Sequence, residues 1–266
     1  MKIAVAQINC RVGDVDANVA KIASQIEEAA HHSCDLVLLP EMVDTGYEKD
    51  AILEKAAAWD SGPVVRIREF AAKCGIAVCC GVSERVEDAI YNSQVLVDSD
   101  GSLIGHYRKA HLFNAEPVNE ERFLRAGDKL VTAQIGDFKI GLMICYDIRF
   151  PEMARALALG GVDVFLVSAA WPEVRVGHWR TLLAARAIEN QAYVAAANLC
   201  GKDRPVPLGG NSVILDPSGG CVAAADVSDE ALLMGEVKRE PIDAVRAHMA
   251  VFRDRRRDLY GFTAES

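Results

Sequence analysis

One cysteine stands where chemistry could start. Cys145 follows the apolar run Lys139-Ile140-Gly141-Leu142-Met143-Ile144 and precedes Tyr146-Asp147-Ile148-Arg149-Phe150-Pro151-Glu152. A thiol can attack a carbonyl or nitrile carbon and form a covalent thioester-type intermediate. The run shows no polar–apolar alternation, so it reads as a strand buried on both faces. Pro151-Glu152 then opens a helix over 153–159, with proline and an acid in its first turn. In an α/β sheet ligands collect at the carboxyl ends of strands. Backbone N–H groups near a helix start favour a thiolate and can hold an oxyanion. Two readings stay open on this stretch: a nucleophile, or the core cysteine that a thiol in an apolar run usually is.

Two more reactive residues share that context. Glu41 follows the short apolar run Asp35-Leu36-Val37-Leu38-Leu39, and Lys109 ends a hairpin strand in Gly105-His106-Tyr107-Arg108-Lys109-Ala110-His111-Leu112-Phe113. Singly, a glutamate after a strand is a cap or a surface acid, and a lysine in Tyr-Arg-Lys is a solvated charge. Together with Cys145 they form a complementary set. A carboxylate takes the thiol proton, passes it to leaving ammonia and then activates water. A buried ammonium holds the oxyanion, where one donor is worth about 3–4 kcal/mol. Histidine is the commoner base for a cysteine, and His106 and His111 flank Lys109, so a Cys–His pair is the competing arrangement.

The elements that must position these groups alternate along the chain. Strands are expected over 2–8, 35–39, 76–82 and 91–97, with helices over 15–31 and 63–73. A turn at Ser99-Asp100-Gly101-Ser102 returns the chain as a hairpin strand over 103–107. After an irregular segment over 113–129 come strands over 138–144, 163–167 and 193–197, with helices over 152–159 and 178–189. A hairpin pairs 211–215 with 221–225, and a strand over 232–237 precedes a C-terminal helical tail. The two halves echo one another in element order, without a sequence repeat. That pattern predicts an α/β chain with two sheets packed face to face and helices outside. No Pro/Gly/Ser-rich linker divides it, so a single domain over 1–266 is expected, with the tail from about 240.

Composition narrows the partners. The chain has 266 residues, 51% hydrophobic and 25% charged, with a net charge of −9, which allows a sizeable core and argues against nucleic acid or anionic membrane as a partner. Arg253, Arg255, Arg256 and Arg257 form a local basic cluster, read as a solvated face or a subunit-contact arm. No signal peptide and no apolar run of membrane-spanning length is visible. The eight cysteines (Cys10, Cys34, Cys74, Cys79, Cys80, Cys145, Cys200, Cys221) show no CxxC pair and no metal-ligand spacing, which suggests reduced cytoplasmic thiols, all but Cys145 in the core. There is no GxSxG elbow and no Gly-rich phosphate loop.

Taken together, Pro40-Glu41, the block from Tyr107 to Phe113 and the block from Ile144 to Glu152 resemble the three catalytic blocks of the nitrilase superfamily of carbon–nitrogen hydrolases. The similarity runs from Lys2 to about Val237 and includes Ala184-Ala185-Arg186-Ala187-Ile188-Glu189-Asn190-Gln191-Ala192-Tyr193-Val194. The resemblance implies a four-layer α-β-β-α sandwich. It implies Cys145 as nucleophile, Glu41 as general base and acid, and Lys109 as oxyanion stabiliser, with the backbone N–H of Tyr146 as a second donor. A second glutamate follows the lysine in that family; counting back from Gly127-Asp128 places it at Glu120, with Glu121 as the other choice. Trp171 matches a position that lines the substrate pocket, against its alternative as a packing aromatic. Arg149 is expected to be held by a neighbouring carboxylate, and His178 and Trp179 to pack at a helix start.

Ala169-Ala170-Trp171-Pro172 and His178-Trp179 make the chain most similar to small bacterial amidases, the omega-amidase group among them, which act on amides of dicarboxylic acids such as 2-oxoglutaramate. The implied reaction converts a small amide and water into a carboxylic acid and ammonia. The alternatives are an N-carbamoyl amine or amino acid amidohydrolase, a nitrilase, and a catalytically silent interaction protein on the same fold. No metal or organic cofactor is needed for this chemistry, and a homodimer or higher homo-oligomer is expected.

Overall fold

A computed structural model describes residues 1–202, 205–227 and 229–260. The first half contains β1 (Lys2–Gln7), α1 (Val15–His31), β2 (Leu36–Leu38), α2 (Lys49–Lys55), α3 (Pro63–Cys74), β3 (Ala77–Val86), β4 (Ala89–Val97) and β5 (Leu103–Arg108). The second contains β6 (Thr132–Ile135), β7 (Phe138–Ile144), α4 (Pro151–Leu159), β8 (Val164–Ala169), α5 (Val176–Asn190) and β9 (Tyr193–Asn198). It continues with the short pair β10 (Cys200–Gly201) and β11 (Leu208–Gly209), then β12 (Val213–Leu215), β13 (Cys221–Ala224), β14 (Ala231–Glu236) and α6 (Arg239–His248). The expected tail begins with α6; its residues 261–266 lie outside the described residues.

Period-two alternation builds the layers. Ile3, Val5, Leu36, Leu38, Ala77, Cys79 and Leu96 turn one face of the first sheet towards the second. The intervening Ala4, Ala6, Val37, Val78, Cys80 and Val95 pack outward with Ile22 and Ile26 of α1 and Val64 and Ile67 of α3. Both faces are therefore apolar, which is why these strands read as unbroken hydrophobic runs. On the other side, Met153 and Leu157 of α4 and Leu183 and Ala187 of α5 cover β7–β9. The result is the four-layer α-β-β-α sandwich.

The six-stranded sheets have the orders β14-β1-β2-β3-β4-β5 and β13-β12-β9-β8-β7-β6. In each, three central strands run parallel, with their carboxyl ends at the same edge as the reactive residues. The last strand breaks the symmetry between halves: β14 crosses to pair antiparallel with β1, Lys2 opposite Glu236. Asp163, buried beside β8, receives Arg239 and Arg246, which dock α6 on the second sheet.

Three sequence expectations change. No local pattern announces α2 or β6: α2 buries only Ala51 and Ile52, and β6 is an edge strand half in solvent. Cys221 is exposed on the short outer strand β13 and Cys74 is half-buried at the end of α3, so the core cysteines are fewer than expected. The thiol also does not lead directly into the α-helix. Residues Cys145–Arg149 form a separate 3-10 turn, and α4 begins only at Pro151.

Candidate active site

Each reactive side chain is placed by a local constraint. Lys109 extends β5, its N–H donating to the Asn92 carbonyl at 2.8 Å. Gly127 lies against that bend, where a Cβ would come 2.2 Å from the Arg108 carbonyl oxygen, so only glycine admits the contact. Glu41 follows β2 across Pro40, and Gly81 of β3 lets its backbone approach; a Cβ there would fall 2.6 Å from the Glu41 Cα. Cys145 has φ +45°, a left-handed conformation that strains a residue with a Cβ and turns the side chain out of the strand direction. Asp147 holds that turn. Its Oδ2 accepts from the Ile144 N–H at 2.8 Å and the Tyr107 hydroxyl at 2.7 Å, and its Oδ1 accepts from the His111 N–H at 3.2 Å.

These constraints bring the expected residues together. The Lys109 ammonium donates to Glu41 Oε1 at 2.8 Å and to Glu120 Oε1 at 2.9 Å, and all three side chains are fully buried. The Ala170 N–H, just past the end of β8, donates to Glu41 Oε2 at 2.7 Å and is close enough to the Cys145 thiol to favour its ionised form. Of the two candidate second glutamates, Glu120 reaches Lys109, while Glu121 is exposed and accepts from Asn114. Glu120 is held by the Phe113 N–H at 2.7 Å and the Tyr47 hydroxyl at 2.8 Å.

Burial governs the charges. It pushes the Cys145 thiol well up, and Glu41 adds to this, against the opposing pull of Lys109 and the Ala170 N–H. The N-terminus of α4 lies further on, at Pro151, beyond the 3-10 turn that Cys145 opens. The thiol is therefore neutral at rest and needs a base in contact. Burial likewise raises Glu41, with Lys109 opposing it. Desolvation works against the Lys109 ammonium, but Glu120 and Glu41 outweigh it and hold the charge firmly. Such a set can move a proton from sulfur to carboxylate while the cation faces developing negative charge.

Neither histidine is placed as the base. His111 Nδ1 lies 2.8 Å from Asp147 Oδ1 and its ring stacks on Phe150. His106 Nε2 lies 3.1 Å from Glu84 and its ring meets Trp59. Glu84 also takes both Arg108 and Ser93. Burial opposes ionisation of Glu84, but His106, Arg108 and Ser93 outweigh it and bring the carboxyl from 4.5 down to about 2. A pKa lowered on folding adds stability that is complete above the ordinary value and lost as pH falls towards the folded one. Glu84→Gln is therefore expected to cost about 2–3 kcal/mol near neutral pH. Urea unfolding should show the gap narrowing as pH drops below 4.5; a gap constant with pH would remove the charge from the account.

The thiol opens on a cleft of about 210 Å³ walled by Tyr47, Phe113, Tyr146, Trp171 and Leu208. Tyr146 packs edge-on against Phe113 and Phe150. Trp171 is anchored by its own N–H to Asn198 Oδ1 and by its indole N–H to the Arg175 carbonyl. Trp179 packs as expected, whereas His178 is exposed, 3.4 Å from Arg149 Nη2. Arg149 departs from expectation. Among the described residues no carboxylate pairs with it; its guanidinium lies 4.7 Å from the centre of the Trp171 ring and faces the cleft with Arg175. The reason is local: Arg149 closes the 3-10 turn at 145–149, and its guanidinium lies over Trp171 and not against Glu152, the one acid of α4.

Two buried residues escaped the sequence reading, Asn92 and Tyr47. Asn92 and Gln94 sit on the inward face of β4, and polar residues at alternate positions of an apolar strand are the signal that would have found the first. Tyr47 lies in an irregular stretch with no pattern to read.

The model of the carbon–nitrogen hydrolase family matches residues 2–247. A 2-oxoglutaramate amidase of Bacillus subtilis is 35% identical over 97% of this chain and 98% of its own length. The solved structure of a CN-hydrolase superfamily protein from Xanthomonas campestris, with an arsenic adduct in its active site, aligns at TM-score 0.89 and 29% identity over 96% of this chain and 97% of that one. An amidase variant from Nesterenkonia sp. AN1, carrying the acetamide moiety of fluoroacetamide covalently on its active-site cysteine, aligns at TM-score 0.85 and 28% identity over 97% and 95%.

Proposed function

The chain belongs to the carbon–nitrogen hydrolase family, and on that premise we propose that it is an amidase of the omega-amidase kind, working through a thioester on Cys145. The observation that carries the reading is the buried grip of Lys109 on Glu41 Oε1, which leaves Oε2 with the Ala170 N–H alone, while the charges of both residues act on the Cys145 thiol. As Sγ bonds to the amide carbon, its proton passes to Glu41 Oε2, and the carbonyl oxygen becomes an oxyanion facing Lys109 and the Tyr146 N–H. Glu41 returns the proton to the departing nitrogen, and ammonia leaves. Glu41 then takes a proton from water, the hydroxide attacks the thioester, and the released sulfur recovers its proton. The sum is R–CO–NH2 plus water giving R–COOH and NH3. Glu120 holds the ammonium from the far side.

Arg149 and Arg175 favour a substrate that carries a carboxylate, as 2-oxoglutaramate does. Two guanidiniums face an aromatic cleft, burial and Arg175 both lower the Arg149 pKa, and an incoming anion relieves that repulsion. Arg149→Met is expected to raise KM for the monoamide of a dicarboxylic acid by about 10- to 100-fold, the loss of one charge-assisted pair. The matching uncharged amide should change by less than about threefold. Ammonia release from both substrates measures this, and an equal loss on the two would remove the carboxylate from the reading. The same assay over amides, nitriles and carbamoyl compounds tests the reaction class: carbon dioxide released with ammonia would move the chain to the N-carbamoyl hydrolases.

The proposed setting is the cytoplasm, where the free thiols stay reduced. The proposed assembly is a homodimer or larger. Exposed Leu159, Met249 and Tyr260, together with Arg253 and Arg255, surround the groove between α4 and the C-terminal segment and suit a subunit contact. Among the described residues, no helix is long and apolar enough to cross a membrane.

A further inference from the structure

We propose that Asn92 is a positioning residue of the reaction, which reserves one oxygen of Glu41 for the thiol proton by occupying the other. The proposal rests on the thiol mechanism above and assigns a role to a side chain that this mechanism does not otherwise use.

The geometry is a closed ring of two donors and two acceptors. Asn92 Nδ2 donates to Glu41 Oε1 at 2.5 Å and to Glu120 Oε1 at 3.2 Å. Lys109 Nζ donates to the same two oxygens. Glu41 Oε1 therefore carries two donors, whereas Oε2 carries only the Ala170 N–H. A proton arriving from the thiol finds its free lone pair on Oε2. Asn92 also accepts the Lys109 backbone N–H on its own carbonyl, so one residue contacts Glu41, Lys109 and Glu120.

The carboxamide orientation is set by chemistry, because only its NH2 group can face two carboxylates. Its Oδ1 is buried with no hydrogen-bond partner among the described residues. A side chain kept for packing would have both ends satisfied or would be apolar. Here both protons of the amide are spent on the glutamates and the oxygen is left over, which is the pattern of a residue retained for its donors. The bond to Glu41 also favours the ionised carboxylate, the form that accepts the thiol proton.

Asn92→Ala and the isosteric Asn92→Asp are compared with the native enzyme by kcat and KM across pH, and by the pH dependence of Cys145 alkylation with iodoacetamide. Asn92→Ser replaces the alanine variant if that chain does not fold. For Asn92→Ala, kcat should fall about 30- to 300-fold, within the range of acid–base catalysis, while KM stays within about threefold. The acid limb of kcat should move up by about one pH unit, because an ionised Glu41 has lost a donor. Asn92→Asp, which adds a third carboxylate, should move it further. Alkylation should show the same displacement and stays readable when turnover is slow. A limb that does not move in either variant, or a loss confined to KM, overturns the proposal. If the native enzyme itself shows no pH-dependent alkylation at Cys145, both this reading and the thiol mechanism fail. Native dependence with unshifted variants rejects the role of Asn92 alone.

Discussion

Cys145→Ala is expected to lower ammonia release by about 10⁴-fold or more, the scale on which loss of a covalent nucleophile acts, and to leave the fold as it is. The side chain is small, and the neighbouring Ala170 N–H keeps its bond to Glu41 Oε2. Alanine at φ +45° meets the same backbone strain as cysteine, so the turn gains no new penalty. Cys145→Ser should be nearly as inactive, since burial and Glu41 already push the thiol well up and a hydroxyl is a much weaker acid. Mass spectrometry of the native enzyme with a slow amide should show an acyl adduct that both variants lack. The pH profile follows from the same charges. Glu41 must be ionised to accept the proton, and burial raises its pKa, so the acid limb of kcat should lie above 4.5. The glutamates keep Lys109 protonated, so no loss from that group is expected until strongly alkaline pH. Full turnover by Cys145→Ala would end the thioester mechanism.

Lys109→Met should act on stability and on rate together. It removes the one cation bridging two fully buried carboxylates and leaves Glu41 and Glu120 facing each other. Breaking one member of a buried ion set costs about 3–5 kcal/mol, and losing the oxyanion donor lowers kcat by a further 10²–10³-fold or so. The sign of the pH dependence distinguishes this from simple loss of packing. Without the ammonium the Glu41 carboxyl, already raised by burial, loses the charge that opposed the rise, so the folded chain binds a proton that the unfolded chain has released. Stability is then complete below the ordinary carboxylate value of 4.5 and is lost as pH rises above it. Urea unfolding should find the variant closest to the native enzyme near pH 5 and furthest at pH 8. Adding Glu120→Gln should restore part of the stability and none of the rate. Destabilisation that ignores pH would show that packing, rather than charge, is what Lys109 supplies.

Much of the architecture was legible because it depends on local pattern. The apolar runs at β1, β2 and β7 and the amphipathic spacing of α1 lie within single elements; β7 and α1 have the expected bounds, β1 differs by one residue at one end and β2 by one at each end. The return of β14 to β1 was not legible. An edge strand half in solvent carries no mark of its partner, and the pairing of Lys2 with Glu236 spans nearly the whole chain. Arg149 misled for a related reason: nearby acids made a salt bridge the economical expectation, while the turn at 145–149 sends the guanidinium over Trp171.

By itself, the order of residues determined which chemistry is available: one thiol at a strand end, one acid and one ammonium at two others, on alternating elements that must form layered sheets. Residue type and local periodicity carry that much, because each is a property of a few neighbouring residues. Only the tertiary structure decided that Glu120 rather than Glu121 faces the ammonium, that the histidines serve Glu84 and Asp147, and that Asn92 joins the ring. It also decided that the thiol rests neutral. Those outcomes depend on distances between segments remote in the chain and on how completely water is excluded from among them, and no local stretch of sequence encodes either.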